Sequence, residues 1–111
     1  TAIKGRSIAP LPLDALLEKL HPTPAVAGNP KNEALELITA LEQYDRSYYT
    51  GYFGLKKEKE GHFWVNLRCA QIISSGQICL YAGGGIISAS EPQLEWRETE
   101  SKMQTILNVM R

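Results

Sequence analysis

Towards its end the chain carries Glu95, Glu98 and Lys102. In a helix these stand at i, i+3 and i+7, so two carboxylates and an ammonium share one face. Carboxylate oxygens are what a hard cation such as magnesium accepts, and magnesium commonly takes only one or two of them, keeping water or substrate oxygens elsewhere. The same spacing also describes a solvated face with a Glu98–Lys102 pair worth only about 0.2–0.5 kcal/mol. Spacing leaves both readings open.

Other groups could join such a site. Gly83-Gly84-Gly85 lets the backbone approach a ligand closely and present bare N–H groups to an anion, although a bulge or a tight strand exit would use the same residues. Arg68 can fork onto a carboxylate with two parallel hydrogen bonds, which Lys cannot do, or it can be a surface residue on a strand. Tyr48 and Tyr49 offer a phenolic donor, with packing the ordinary role for at least one of them. His21 stands beside prolines with no acidic neighbour in sequence, and is read as a structural hydrogen-bonding residue.

These groups need elements to position them. At 111 residues, with 43% hydrophobic and 22% charged, the chain has the makeup of one soluble globular unit. Twelve basic and twelve acidic residues cancel, so no overall field favours nucleic acid or an anionic membrane, and recognition must come from a local site. No apolar run approaches the roughly 20 residues of a membrane span, and TAIKGRS lacks the apolar core of a signal peptide. Cys69 and Cys79 fall in segments that read as neighbouring strands. They are expected to be small buried or half-buried thiols in a reducing compartment, which points to the cytoplasm.

Thr1 to Lys4 alternates like a strand entered midway and no Met begins the chain, which suggests an excised portion of a longer protein. Leu13, Leu16, Leu17 and Leu20 predict a short amphipathic helix. HPTPAVAG, with two prolines, predicts a rigid loop. Asn29 and Pro30 then supply a cap and a first helical position for a second helix ending near Tyr44. Tyr48 to Lys56 and His62 to Ile73 predict a hairpin joined by a charged turn, with Arg68 displayed on the long strand. Gln77 to Ala82 makes a further strand. Glu91 to Val109 is the longest helix, with Leu94, Met103, Ile106, Leu107 and Met110 able to face a core. The order β-α-α-β-β-β-α reads as an α+β fold, an antiparallel sheet with helices packed on it.

HPTPAVAGNP, ALELITALEQYDRSYYTGYFG, NLRCA, LYAGGGII and SEPQLEWRETESK, in this order, resemble the C-terminal third of the chorismate-utilising enzymes. That family includes isochorismate, salicylate, anthranilate and aminodeoxychorismate synthases. The resemblance implies that residues 1–111 are the C-terminal part of a chorismate-binding domain within a larger α/β sandwich. It implies a Mg2+ cofactor with Glu98 as ligand and Glu95 as ligand or holder of a metal-bound water. Lys102, Arg68, Tyr49 and Gly83 match positions that bind the carboxylate of chorismate, and Ala25 and Val26 match the loop lining the ring pocket. Two departures are small-residue exchanges: Arg46-Ser47 where the family usually has Arg-Gly, and Gly83-Gly84-Gly85 where it usually has Gly-Ala-Gly.

HPTPAVAGNPK is similar to the loop of the isochorismate and salicylate branch rather than to the GT-x-SGAPK-like loop of the others, and a small Ala25 is consistent with water as nucleophile. Isochorismate synthesis, feeding menaquinone or siderophore supply, is therefore the implied activity. The general base and acid it needs are implied to be a lysine and a glutamate of the preceding part, so no catalytic residue is assigned here and the isolated chain is expected to be inert. Its uncovered sheet edges would favour self-association. The competing readings are a salicylate, anthranilate or aminodeoxychorismate synthase portion, and a non-catalytic interaction module in which the Glu95, Glu98 and Lys102 face is merely solvated.

Overall fold

The leucine stripe at 13, 16, 17 and 20 folds, in the computed structural model of the chain, into α1 (Leu13–Leu20). The structure describes residues 2, 4–58, 60–74 and 76–110. The strand expected at Thr1 to Lys4 falls partly on Thr1 and Ile3, outside the described residues, and Ala2 and Lys4 belong to no strand. Asp14 in the first turn of α1 and Lys19 in the last complement the helix dipole. Pro22 then follows extended His21, where a helix cannot easily continue.

HPTPAVAG is not purely a loop. It contains one helical turn, α2 (Pro24–Ala27), because Pro24 occupies the first helical position, where a missing N–H costs nothing. The N–H groups of Val26 and Ala27 both donate to the Thr23 carbonyl at 2.9 Å. Gly28, at φ 104°, turns the chain, and a Cβ there would lie 2.8 Å from the Ala34 Cβ, so glycine lets α2 close onto α3 (Lys31–Leu41). That helix starts one residue later than predicted, with Pro30 as its cap, and stops at Leu41 rather than near Tyr44, where Glu42 turns extended.

Strands β1 (Tyr52–Lys57) and β2 (Glu60–Val65) pair antiparallel, from Tyr52 opposite Val65 to Lys57 opposite Glu60. The alternating glycines have a packing role. Any side chain on Gly54 would overlap the Phe63 ring, and a Cβ on Gly61 would come within 2.5 Å of Phe63 Cε2 and 2.8 Å of Leu13 Cδ2. Phe63 thus lies flat across the hairpin and meets Tyr52 edge-on at 6.1 Å, while Lys56 reaches Asp14 of α1 at 2.8 Å.

The strand predicted over His62 to Ile73 breaks in two. Asn66 donates its N–H to Gly51 at 2.7 Å and its side-chain amide to the Tyr48 carbonyl at 2.9 Å, and its own carbonyl accepts from Thr50 at 2.8 Å. That bracket holds the 48–51 turn, so β1 starts at Tyr52 rather than Tyr48. Arg68 then adopts a left-handed φ of 49° and sits in the break, not on a strand. Beyond it β3 (Cys69–Ile72) pairs antiparallel with β4 (Ile78–Tyr81), giving two separate hairpins rather than one sheet. The α+β class holds, and α4 (Pro92–Val109) packs on β4 through a face that half-buries Met103, Ile106 and Leu107 but leaves Leu94 and Met110 exposed.

Cys69 is half-buried, as expected, whereas Cys79, expected to be buried or half-buried, is exposed. Among the described residues the buried apolar ones are Ala27 and Tyr49. The chain exposes 9694 Å², against about 6,100 Å² for a folded monomer of its mass. Its radius of gyration is 16.6 Å, against about 13 Å for a self-contained domain of this length. The faces of this fold are therefore left open over a large area. Among the described residues no helix is long and apolar enough to cross a membrane.

Ser47, where related sequences are expected to carry glycine, has φ 50°, and Thr50 in the same turn has φ 65°. A left-handed non-glycine residue costs about 1–2 kcal/mol, partly offset by the entropy that glycine loses. Ser47→Gly is expected to stabilise the fold by about 0.5–1 kcal/mol in urea unfolding; a loss of stability would show that the serine side chain contributes more than its backbone strain costs.

Candidate functional site

The i, i+3, i+7 pattern of α4 does converge. Lys102 Nζ lies 2.5 Å from Glu98 Oε1 and donates to the Gly83 carbonyl at 3.0 Å, so it ties the helix face to the irregular glycine segment after β4, where a turn is one expectation from the sequence. Glu95 accepts a 2.5 Å hydrogen bond from Ser90 Oγ through Oε1. A methyl on Gly84 would come within 3.2 Å of Glu95 Oε2 and 3.9 Å of Lys102 Nζ, so the middle glycine leaves room for the carboxylate.

Tyr49 enters the same place from the other side. It is 8% exposed, stacks at 5.6 Å on Tyr81 of β4, and its hydroxyl would meet a Cβ on Gly83 at 2.7 Å. Only glycine admits the phenol to the turn. Burial pushes the Tyr49 phenol up from its ordinary value, and the protonated hydroxyl can donate a hydrogen bond. Tyr48, the other phenol considered, is 85% exposed. Of the two tyrosines, it is thus Tyr49 that is packed and whose hydroxyl reaches Gly83.

The hydrogen bond from Lys102 holds the Glu98 carboxyl below its ordinary range, and the charges of Lys102 and Arg68 act in the same direction. Arg68, although displaced into a break, still bears on this face. Val26 lines a cleft with His21, Ala27 and Tyr49, so Tyr49 connects the α2 segment to the glycine turn. Ala25 is exposed and does not line that cleft. The His21 ring meets Tyr52 edge-on at 5.0 Å, and its carbonyl accepts from Lys31, consistent with a structural role.

As a metal site the arrangement is partial. Among the described residues no cluster of three or more His, Cys, Asp or Glu could hold a metal ion. Glu95 and Glu98 offer hard carboxylate oxygens one helical turn apart, a donor set that suits magnesium with its other positions filled from elsewhere. Residue spacing did not identify Ser90, Asn66 or the Glu42–Arg46 pair, because each acts through a contact with a distant segment or with a turn. Glu42 and Arg46 alone left a trace in the sequence, as opposite charges four apart.

Lys102→Met should raise the Glu98 pKa towards that of an ordinary glutamate. The folded-state pKa is depressed, so the pair contributes stability above the ordinary value of about 4.3 and loses it as pH falls through the depressed one. Carboxyl carbon shifts followed by NMR against pH would register this, and an unchanged Glu98 midpoint would refute the pairing.

Comparison with known proteins shows which family the chain belongs to. Residues 1–111 match the family described as chorismate binding enzyme. The vibriobactin-specific isochorismate synthase of Vibrio cholerae serotype O1 is 47% identical over 89 residues, covering 79% of this chain and 22% of that protein. Isochorismate synthase EntC of Escherichia coli K12 is 45% identical over 91 residues, 81% of this chain and 23% of that protein. A putative isochorismate synthase MenF of Mycobacterium tuberculosis H37Rv is 44% identical over 114 residues, 99% of this chain and 30% of that protein. The chain spans less than a third of the length of these curated relatives. A match along the whole chain, together with this level of identity, places it in the chorismate-binding enzyme family.

Proposed function

We propose that this chain is the C-terminal, substrate-binding part of a cytoplasmic isochorismate synthase, which converts chorismate to isochorismate with magnesium. The observation that carries the proposal is the meeting of Tyr49, Gly83, Glu95, Glu98 and Lys102 around one glycine turn, with Arg68 bearing on the same face. Relatives named isochorismate synthase support that product over salicylate or anthranilate.

In this reading Lys102, Arg68 and the Tyr49 hydroxyl bind and orient the substrate carboxylate, and the open Gly83 turn leaves room for it. A dicarboxylate needs cationic partners and donors held in advance, since desolvating an unpaired carboxylate is costly. Glu98, with Glu95 as second ligand or holder of a water, would hold magnesium, which when bound helps to neutralise the carboxylate charge. Val26, which lines the cleft beside Tyr49, would border the ring pocket, while Ala25, exposed in this chain, would meet the ring only from the loop's outer side. Adding water at one ring position and expelling hydroxide from another requires a base and an acid, assigned to a part of the enzyme outside this chain.

In the intact protein, magnesium-dependent isochorismate formation is expected, with Glu98→Ala lowering kcat/KM by at least about a hundredfold, as expected for loss of a metal ligand. The isolated 111-residue chain should show no turnover. Turnover by the isolated chain, or full activity in Glu98→Ala, would overturn the reading. The same chain, with its surface excess of roughly 3,600 Å², should self-associate, giving a mass that rises with concentration in sedimentation equilibrium. A strictly monomeric mass at high concentration would count against this.

A further inference from the structure

Tyr49 is the most enclosed functional side chain of the site, yet it sits in a turn with left-handed residues on either side, Ser47 and Thr50. Such a turn needs support from elsewhere. Part of it is the Asn66 bracket. The rest is Arg46, whose guanidinium forks onto Glu42, with Nε donating to Oε2 at 2.6 Å and Nη2 to Oε1. Its third nitrogen, Nη1, donates to Thr50 Oγ1 at 3.3 Å, and the guanidinium carbon lies 5.8 Å from the centroid of the Tyr49 ring.

Both side chains of the pair are largely sheltered, 23% exposed for Arg46 and 26% for Glu42. The arrangement is directional. Glu42 is the residue that ends α3, so the fork ties the tyrosine turn to a rigid helix, while the face of the cation is left for the phenol ring. With both oxygens of Glu42 and the Thr50 hydroxyl engaged, Arg46 is committed to this network and not available as a substrate-binding charge.

We propose that Glu42 and Arg46 are positioning residues for the carboxylate site: their fork fixes the ring and turn of Tyr49 so that its hydroxyl is aimed in advance at the Gly83 turn. This rests on the reading of Tyr49 as a donor to the substrate carboxylate. Lysine at 46 keeps the charge but cannot fork, so Arg46→Lys isolates the geometry from the charge.

The test uses the intact protein and its Arg46→Lys, Glu42→Gln, Tyr49→Phe and Arg46→Lys/Tyr49→Phe variants. Loss of uniform binding should raise KM for chorismate about three- to tenfold in the first two, with kcat within about twofold. Tyr49→Phe should raise KM at least as much, and the double variant should be no worse than Tyr49→Phe alone. Independent, multiplying effects, or an Arg46→Lys protein that only loses thermal stability at unchanged KM, would overturn the proposal.

A second readout does not depend on turnover. With tyrosine-ring carbon labelling, the Tyr49 NMR signal, assigned by its loss in Tyr49→Phe, should shift in Arg46→Lys and Glu42→Gln while that of exposed Tyr48 stays in place. If the wild-type protein does not convert chorismate, the functional reading falls, and the ring signal still decides the positioning: moved, it stands; unmoved, it fails.

Discussion

The three hydrogen bonds between Asn66 and the 48–51 turn organise most of this fold. They end the β1–β2 ladder, hold Tyr49 at the base of the turn, and send the chain through left-handed Arg68 into a second hairpin. A ladder continuing through Arg68 would have kept one long strand and moved Tyr49 away from β4. Because Tyr49 stacks on Tyr81, the same bracket also fixes where the first hairpin stands relative to the second. A polar side chain satisfied by backbone groups thus determines the layout more than apolar burial does, as suits a chain with few buried residues.

At the site itself the governing constraint is space around glycine. The Tyr49 hydroxyl and the Glu95 carboxylate both approach the turn at distances a Cβ would contest, and the Gly83 carbonyl receives Lys102. The turn is where a phenol, an ammonium and two carboxylates come within reach of one another. The hydrogen bond and charge of the adjacent ammonium hold the Glu98 carboxyl below its ordinary range, with Arg68 adding to the effect.

The open shape fits the family relationship. Aromatic and aliphatic side chains such as Phe53, Trp64, Ile86 and Ile87 face solvent, and the exposed surface far exceeds that of a self-contained domain. Relatives several times longer have further chain with which to cover equivalent faces. Leu94 and Met110, which read as core in the sequence, are exposed in this chain.

The sequence alone determined what depends on local pattern. Leucine spacing specified α1, the Glu91-Pro92 start specified α4, alternation with a charged turn specified the first hairpin, and the i, i+3, i+7 placement of Glu95, Glu98 and Lys102 put their charges on one face, because helix and strand periods are properties of neighbouring residues. The motifs carried the family resemblance for the same reason. Tertiary structure alone decided the break at Arg68, the choice of Tyr49 over Tyr48, the seat of Ser90 on Glu95 and the reach of Arg46 to the Thr50 turn. Each depends on where a carbonyl, hydroxyl or ring from another segment or turn stands, and only the folded chain brings those groups within hydrogen-bonding distance.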